Sequence, residues 1–348
     1  MFGILDYLWE LDYESNFEYP LQVEDFLSIV KERIKGNETH LKPINEYNYP
    51  FVIENENKCK KNGSFDDIRL LIVVKSAIKH THRRNTIRNS WGYENRFSDV
   101  RVKRVFMVGS CENVAFDVSV KYSSKKRCQD IIDEENEHYG DIVQANFIDE
   151  YYNNTVKTMM SMKWTWRNCP TAQFIFFVDD DYYVSLKNLL KFVRNPFKYG
   201  DESSFYLNPF ETPDKLPDGY DGRLYAGFVF SGSKPHRYKF SKWTVTLTEY
   251  PYSKFPPYVT AGAIVLSQAS LVQMYYASLY TKHFRFDDIY VGLLAKRLNL
   301  TAFHSPYFFF WKKKYSKGDY KNVIASHGFD DSKELIIAWE QQKSLGFA

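Results

Sequence analysis

The stretch that most constrains this chain is Gln173 to Val184, QFIFFVDDDYYV. Its first part, Phe174 to Val178, is five apolar or aromatic residues with no charge among them. That is how a strand covered on both faces reads, and the aromatic and β-branched content favours strand over helix. The run stops on three consecutive carboxylates, Asp179, Asp180 and Asp181. Three acids at the end of a buried strand repel one another unless a cation or several donors sit between them. In open α/β sheets, ligands bind beyond the carboxyl ends of the strands. Hard divalent cations prefer carboxylate and phosphate oxygens. The triplet therefore reads as a metal site facing a phosphorylated substrate, or else as a solvated acidic turn or helix start.

The flanking sequence favours an α/β sheet. Ile68 to Ala77, IRLLIVVKSA, is a second run of the buried-strand kind, and Arg104 to Gly109 and Asp141 to Phe147 predict further strands. Between them lie a polar helix over Asp130 to Tyr139 and a helix over Asn153 to Trp166. The latter's Val156, Met159, Met160, Trp164 and Trp166 recur at core-facing spacing. Alternating strands and helices of this kind predict an α/β sheet. Leu186 to Val193 reads as helix, and Asn208 to Gly222 as a loop rich in Pro, Asp and Gly. Arg83, Arg84 and Arg88 cluster just past the Ile68 to Ala77 run. They suit diphosphate oxygens at a helix start, or equally a solvated helix face.

At 348 residues the chain accommodates one large domain with an extension. Residues 1–65 read as an N-terminal, stem-like extension, with a helix over Val23 to Lys35 and a linker over Gly36 to Gly63; residues 66–348 form the main domain. Aromatics are 18% and the net charge is +3, so no strongly basic nucleic-acid surface is expected. Cys59, Cys111, Cys128 and Cys169 contain no CxxC pair. Sequons stand at Asn37, Asn62, Asn153 and Asn299. Neither a transmembrane run nor a signal peptide is readable, so taken literally the residues describe a soluble protein.

Nine segments in register carry a resemblance: LLIVVKSA with RRNTIRNSWG; FMVG; Glu137 to Thr158; the Trp166/Cys169 pair; FVDDDYYV; Tyr225-Ala226-Gly227; KWTV at Lys242; YPYSKFPPYVTAGAIVLS; and FDDIYVG. Over about residues 68 to 340 the chain resembles glycosyltransferase family 31, the β1,3-galactosyl- and β1,3-N-acetylglucosaminyltransferases related to Fringe. The resemblance implies an α/β GT-A fold with a mixed, mainly parallel sheet flanked by helices, and a Mn²⁺-dependent, inverting transfer of a hexose (galactose or N-acetylhexosamine) from a UDP-sugar to a glycan acceptor on glycoprotein or glycolipid, forming a β1,3 linkage. It places Asp181 and His327 on the metal, and Asp179 and Asp180 beside the nucleotide sugar or the metal's waters. It puts Arg84, Arg88 and Lys157 near the nucleotide and makes Asp288 the catalytic base. It also implies a lumenal Golgi location with membrane association, although no anchor is visible in these residues.

Departures from the family pattern are specific. Asp287 stands where the family has Glu, Ala261-Gly262-Ala263 where it has Gly-x-Gly, and Val259 where Cys is common. Asp287 and Asp288 fall at the start of a helix that is established by about Ile289, where either acid is a candidate N-cap and where a carboxylate is expected to stay ionised. A Cys59–Cys169 bridge is expected, since each cysteine precedes a buried strand, with pairings through Cys111 and Cys128 as the alternatives.

Overall fold

The structure is a computed structural model that describes residues 3–111, 128–200 and 221–348. Its centre is an eight-stranded sheet. In chain order the strands are β1 (Phe51–Ile53), β2 (Leu70–Lys75), β3 (Val102–Ser110), β4 (Ile142–Ile148), β5 (Phe174–Asp179), β6 (Tyr225–Phe230), β7 (Tyr258–Ser267) and β8 (Phe303–His304). In space the order is β1-β4-β3-β2-β5-β7-β6-β8. Strands β4, β3, β2 and β5 run parallel, and β7 turns antiparallel against β5. The sheet is thus mixed and mostly parallel in the half that the sequence marks with apolar runs. The expected loop over 208–222 lies almost wholly outside the described residues.

Helices α1 (Phe26–Ile34), α2 (Thr81–Arg88), α3 (Cys128–Tyr139), α4 (Asn154–Asn168), α5 (Leu186–Arg194), α6 (Gln268–Ser278), α7 (Asp287–Arg297) and α8 (Ser332–Ser344) surround the sheet. Strand β2 shows why two cores form. Its side chains alternate between faces, so Leu71 and Val73 join one cluster with Met159, Trp164 and Leu294, while Leu70, Ile72 and Val74 join another with Ile87, Leu189 and Trp339. The Met and Trp stripe of α4 is core, with Met159, Met160 and Trp164 fully buried.

A short second sheet matters for the site. Tyr183–Val184 pairs with Ala325–Ser326, which in turn pairs with Phe308–Phe309. The register Ser326↔Tyr183 and a bond from Phe329 N to Asp181 O, 2.8 Å, bring His327 back over the acidic triplet from the far end of the chain.

The separate extension expected over residues 1–65 is not what the structure contains. Phe51–Ile53 is the edge strand of the central sheet, with Phe51 opposite Ala145. Phe26, Ile29, Val30 and Tyr47 enter the same core as β2 and α4. Leu11 bridges to Tyr252, and Glu10 forms a 2.7 Å ion pair with the buried Arg237. The apolar residues of this segment are too few and too scattered to predict a core position, because their partners lie far along the chain. The Cys59–Cys169 disulfide is formed and links this segment to the end of α4, and Cys111 pairs with Cys128.

Candidate active site

Strands β2 and β5 are adjacent and parallel, and their last residues, Lys75 and Asp179, are paired in register. An ammonium and a carboxylate therefore leave the sheet together at the end where α/β sheets bind ligands. Asp179 Oδ1 lies 3.2 Å from Lys75 Nζ. Burial raises the Asp179 carboxyl to about 6 against the pull of Lys75, with the Asp181 charge adding to the rise.

Asp180 points the other way and is saturated with donors. Ser76 Oγ donates to it at 2.7 Å, the His80 Nδ1 contact is 2.9 Å, and Arg83 Nη1 donates at 2.9 Å. Burial opposes ionisation, but the bonds from His80, Ser76 and Arg83 win and hold its pKa at about 2. Asp181 differs again. One oxygen sits 3.2 Å from His327 Nε2, and that hydrogen bond raises the imidazole pKa. Its other oxygen, Oδ1, is buried and has no hydrogen-bond partner among the described residues.

The second pair of acids opens α7. The helix begins at Asp287 itself; Phe286, with extended backbone, holds the cap position, and neither acid caps the helix. Asp287 is buried and turned inward. Lys75 Nζ donates to its Oδ2 at 2.8 Å and Thr158 Oγ1 at 2.9 Å. Burial pushes its carboxyl up, but the Lys75 charge and these two bonds bring it below the usual range. Asp288 remains partly open to the cavity, and its Oδ1 accepts only the Ile289 N–H, 2.8 Å. The expectation of a comfortably ionised carboxylate needs correction here. Burial, then the charge on Asp287, raises Asp288 to about 7, outweighing the backbone donor at the helix start.

Three basic residues expected near the nucleotide are committed elsewhere. Arg84 is fully buried; its Nε and Nη2 donate to both oxygens of Glu135 at 2.8 and 2.7 Å, and its Nη1 reaches Ser76 Oγ and Ala77 O. Arg88 pairs with Glu135 and Asp141 at 2.7 Å. Lys157 is held by Asp149 at 2.5 Å and donates to Ser76 O. Arg84 from α2 and Lys157 from α4 brace the loop after β2 from behind, while Arg88 ties α2 to Glu135 and Asp141. Of the same basic cluster, Arg83 is the member that reaches the acids, linking Asp180 to Asp330. Sequence reasoning also missed Lys75. The signal was present: it is the one charge in LLIVVK, at the strand's carboxyl end.

Five of these groups, but not Asp180, Asp181 or Arg83, line a cavity of about 600 Å³, within the ~300–1,000 Å³ range of small-molecule sites. Lys75, Asp179, Asp287, Asp288 and His327 line it, together with Tyr182, Tyr258 and Gly262. A Cβ on Gly262 would lie 2.1 Å from the Tyr182 hydroxyl, so the middle residue of Ala261-Gly262-Ala263 must be glycine; Ala261 lines the cavity and its carbonyl accepts from Lys75 at 3.2 Å. Among the described residues no three His, Cys, Asp or Glu side chains converge as a complete metal shell. Asp181 and His327, with Asp181 Oδ1 lacking a partner among the described residues, are two donors of the kind that a divalent ion would accept.

Comparison with known proteins agrees with this geometry. The family described as Galactosyltransferase matches residues 82–220 and 214–306. The chain is 39% identical over 347 residues to the Drosophila melanogaster protein "Beta-1,3-galactosyltransferase brn", covering 99% of this chain and 92% of that one. It is 34% identical to "Beta-1,3-galactosyltransferase bre-5" of Caenorhabditis elegans, over 82% of this chain and 78% of the relative. "Beta-1,3-galactosyltransferase 1" of Mus musculus is 28% identical over 91% of this chain and 86% of its own. With relatives this alike from end to end, and with carboxylates gathered at the carboxyl end of an α/β sheet, the chain belongs to the Galactosyltransferase family and is a hexosyltransferase.

Proposed function

We propose that the protein transfers galactose from UDP-galactose to a hydroxyl of a glycan acceptor with inversion, forming a β1,3 linkage. The observation that carries this reading is Asp288: a carboxyl on the cavity wall, half satisfied, with a pKa of about 7. A general base is most effective when its pKa lies near the working pH. As the acceptor oxygen bonds to the sugar's anomeric carbon, Asp288 takes the hydroxyl proton. The bond from that carbon to the diphosphate breaks, and UDP leaves with the electron pair. Asp287 is engaged by Lys75 and Thr158, so in this reading Asp288 acts as a single base in one in-line displacement, which inverts the anomeric centre.

Lys75 and Thr158 hold Asp287 so that Asp288 faces the cavity. Asp181 and His327 would hold a divalent ion, Mn²⁺ by donor type, which supplies charge neutralisation for the departing diphosphate. Asp180, fixed by Ser76, His80 and Arg83, sets the backbone from which Asp181 projects. The names of the relatives support galactose and the β1,3 linkage. Two disulfides suit the oxidising lumen of the secretory pathway, in keeping with action in the Golgi. Among the described residues no helix is long and apolar enough to cross a membrane.

The test is UDP release from a panel of UDP-sugars with Mn²⁺ and a hexose-terminated acceptor. UDP-galactose is expected to give the highest turnover, with a β-configured product by NMR. An α-configured product, or equal turnover without acceptor, overturns the reading.

A further inference from the structure

One wall of the cavity has no task in the transfer chemistry. Tyr151 and Trp243 line it, and the two residues are 45% and 48% exposed. Scattered exposed aromatics are ordinary, but these two are adjacent and held in place. Trp243 Nε1 donates to Tyr151 Oη at 3.1 Å. The His236 ring, also on the cavity, lies 6.0 Å from that of Trp243. The Lys242 ammonium sits 4.7 Å from the Trp243 ring and 5.4 Å from the Tyr151 ring.

The wall belongs to the Asp288 end of the cavity. Arg285, just before the Asp287–Asp288 pair, donates to the carbonyl of Thr244 next to Trp243, whereas His327 is paired with Asp181. Tyr151 makes its hydrogen bond to Trp243 rather than to Asp288, so the wall lies beyond bonding reach of the base. A sugar whose hydroxyl is within ~3 Å of the base would occupy the space between, and the next ring of a glycan would meet the aromatic faces. A pyranose has an apolar C–H face and a polar edge, and rigid amphipathic rings with polar tips suit both.

We propose that Tyr151 and Trp243 form an acceptor subsite that stacks the second hexose ring of the glycan, counted from the hydroxyl that is glycosylated. This rests on the reading of Asp288 as the base on the acceptor side. The experiment compares a hexose monosaccharide glycoside with a disaccharide carrying the same terminal hexose, using UDP-galactose as donor. The wild-type protein is expected to prefer the disaccharide in kcat/KM. Trp243→Ala should lower that preference about 10-fold through the disaccharide KM, the scale of one aromatic contact; UDP affinity by calorimetry should hold and report an intact fold. Trp243→Phe, which keeps a ring but loses the indole N–H, should retain most of the preference. A wild-type protein indifferent to the second ring, or a Trp243→Ala variant with the preference intact, overturns the subsite. Failure of the wild-type protein to use either acceptor instead overturns the base assignment beneath it.

Discussion

Two groups of adjacent acids meet at the candidate site, Asp179 to Asp181 and Asp287 to Asp288, and each group divides in the same way. Asp180 and Asp287 are buried, bonded by several donors and held below the usual carboxylate range. Their neighbours are left short: Asp181 Oδ1 has no partner among the described residues, and Asp288 accepts a single backbone N–H. The satisfied acid fixes the backbone, and the unsatisfied one is then presented at a known place with capacity to spare. The two groups differ in where they come from. The triplet ends a strand of the parallel half, while the pair begins a helix more than 100 residues later, and Lys75 ties one to the other through Asp179 and Asp287.

The largest effect should follow from removing the unsatisfied acid of the first group. Asp181→Ala is expected to abolish Mn²⁺-stimulated turnover and most UDP binding while circular dichroism and Tm stay near wild type. Full activity of the wild-type protein in EDTA would remove the metal from the account. Next comes the unsatisfied acid of the second group. Asp288→Asn keeps shape but not basicity, and should lower kcat by about 10²-fold or more with UDP-sugar affinity nearly unchanged. If Asp287→Asn is dead while Asp288→Asn turns over normally, the division of labour is the reverse of the one described.

Cutting the tie between the groups should appear as stability. Lys75→Met strands the buried Asp287 and removes the partner of the half-exposed Asp179, and breaking a buried ion pair from one side costs about 3–5 kcal/mol. Thermal denaturation at neutral pH should show a clearly lowered Tm, and an unchanged Tm would mean that the cavity rehydrates Asp179 and Asp287 freely. The smallest effect concerns pH. Asp288 must be unprotonated to act, and burial with the Asp287 charge sets its pKa at about 7. The kcat/KM profile should therefore fall tenfold per unit as pH drops below about 7. Asp287→Asn removes a charge that raises this value, so the acid limb should move to lower pH; a limb that stays in place would assign it to another group.

What was legible in the chain tracks how local the determining contacts are. FIFFV and LLIVV are buried on both faces, so apolar runs disclosed them, and the position of the acids at a strand end followed. The family pattern placed Asp288 and His327 in the same cavity as the triplet's first acid, although its role for each awaits the variants above. The basic residues were harder. Whether Arg83 or Arg84 faces the ligand depends on how α2 rolls onto the sheet, and a fully buried arginine paired with Glu135 looks no different in sequence from a solvated one. Residues 3–65 were misjudged because their partners, such as Ala145 for Phe51 and Tyr252 for Leu11, are far away in the chain.

The start of the chain has a mechanical meaning. Glu10 neutralises Arg237, whose guanidinium also donates to the carbonyls of Val245, Tyr250 and Tyr252, and Tyr13 N is bonded to Ser253 Oγ. One guanidinium thus gathers the loop that carries His236 and Trp243, and the first dozen residues are its counterweight. Shearing them off would leave a buried cation without its carboxylate and slacken one wall of the cavity. A chain trimmed to residue 14 for convenience would then show a raised acceptor KM with donor KM preserved. What looks like a leash on the domain works as a tensioner for its binding face.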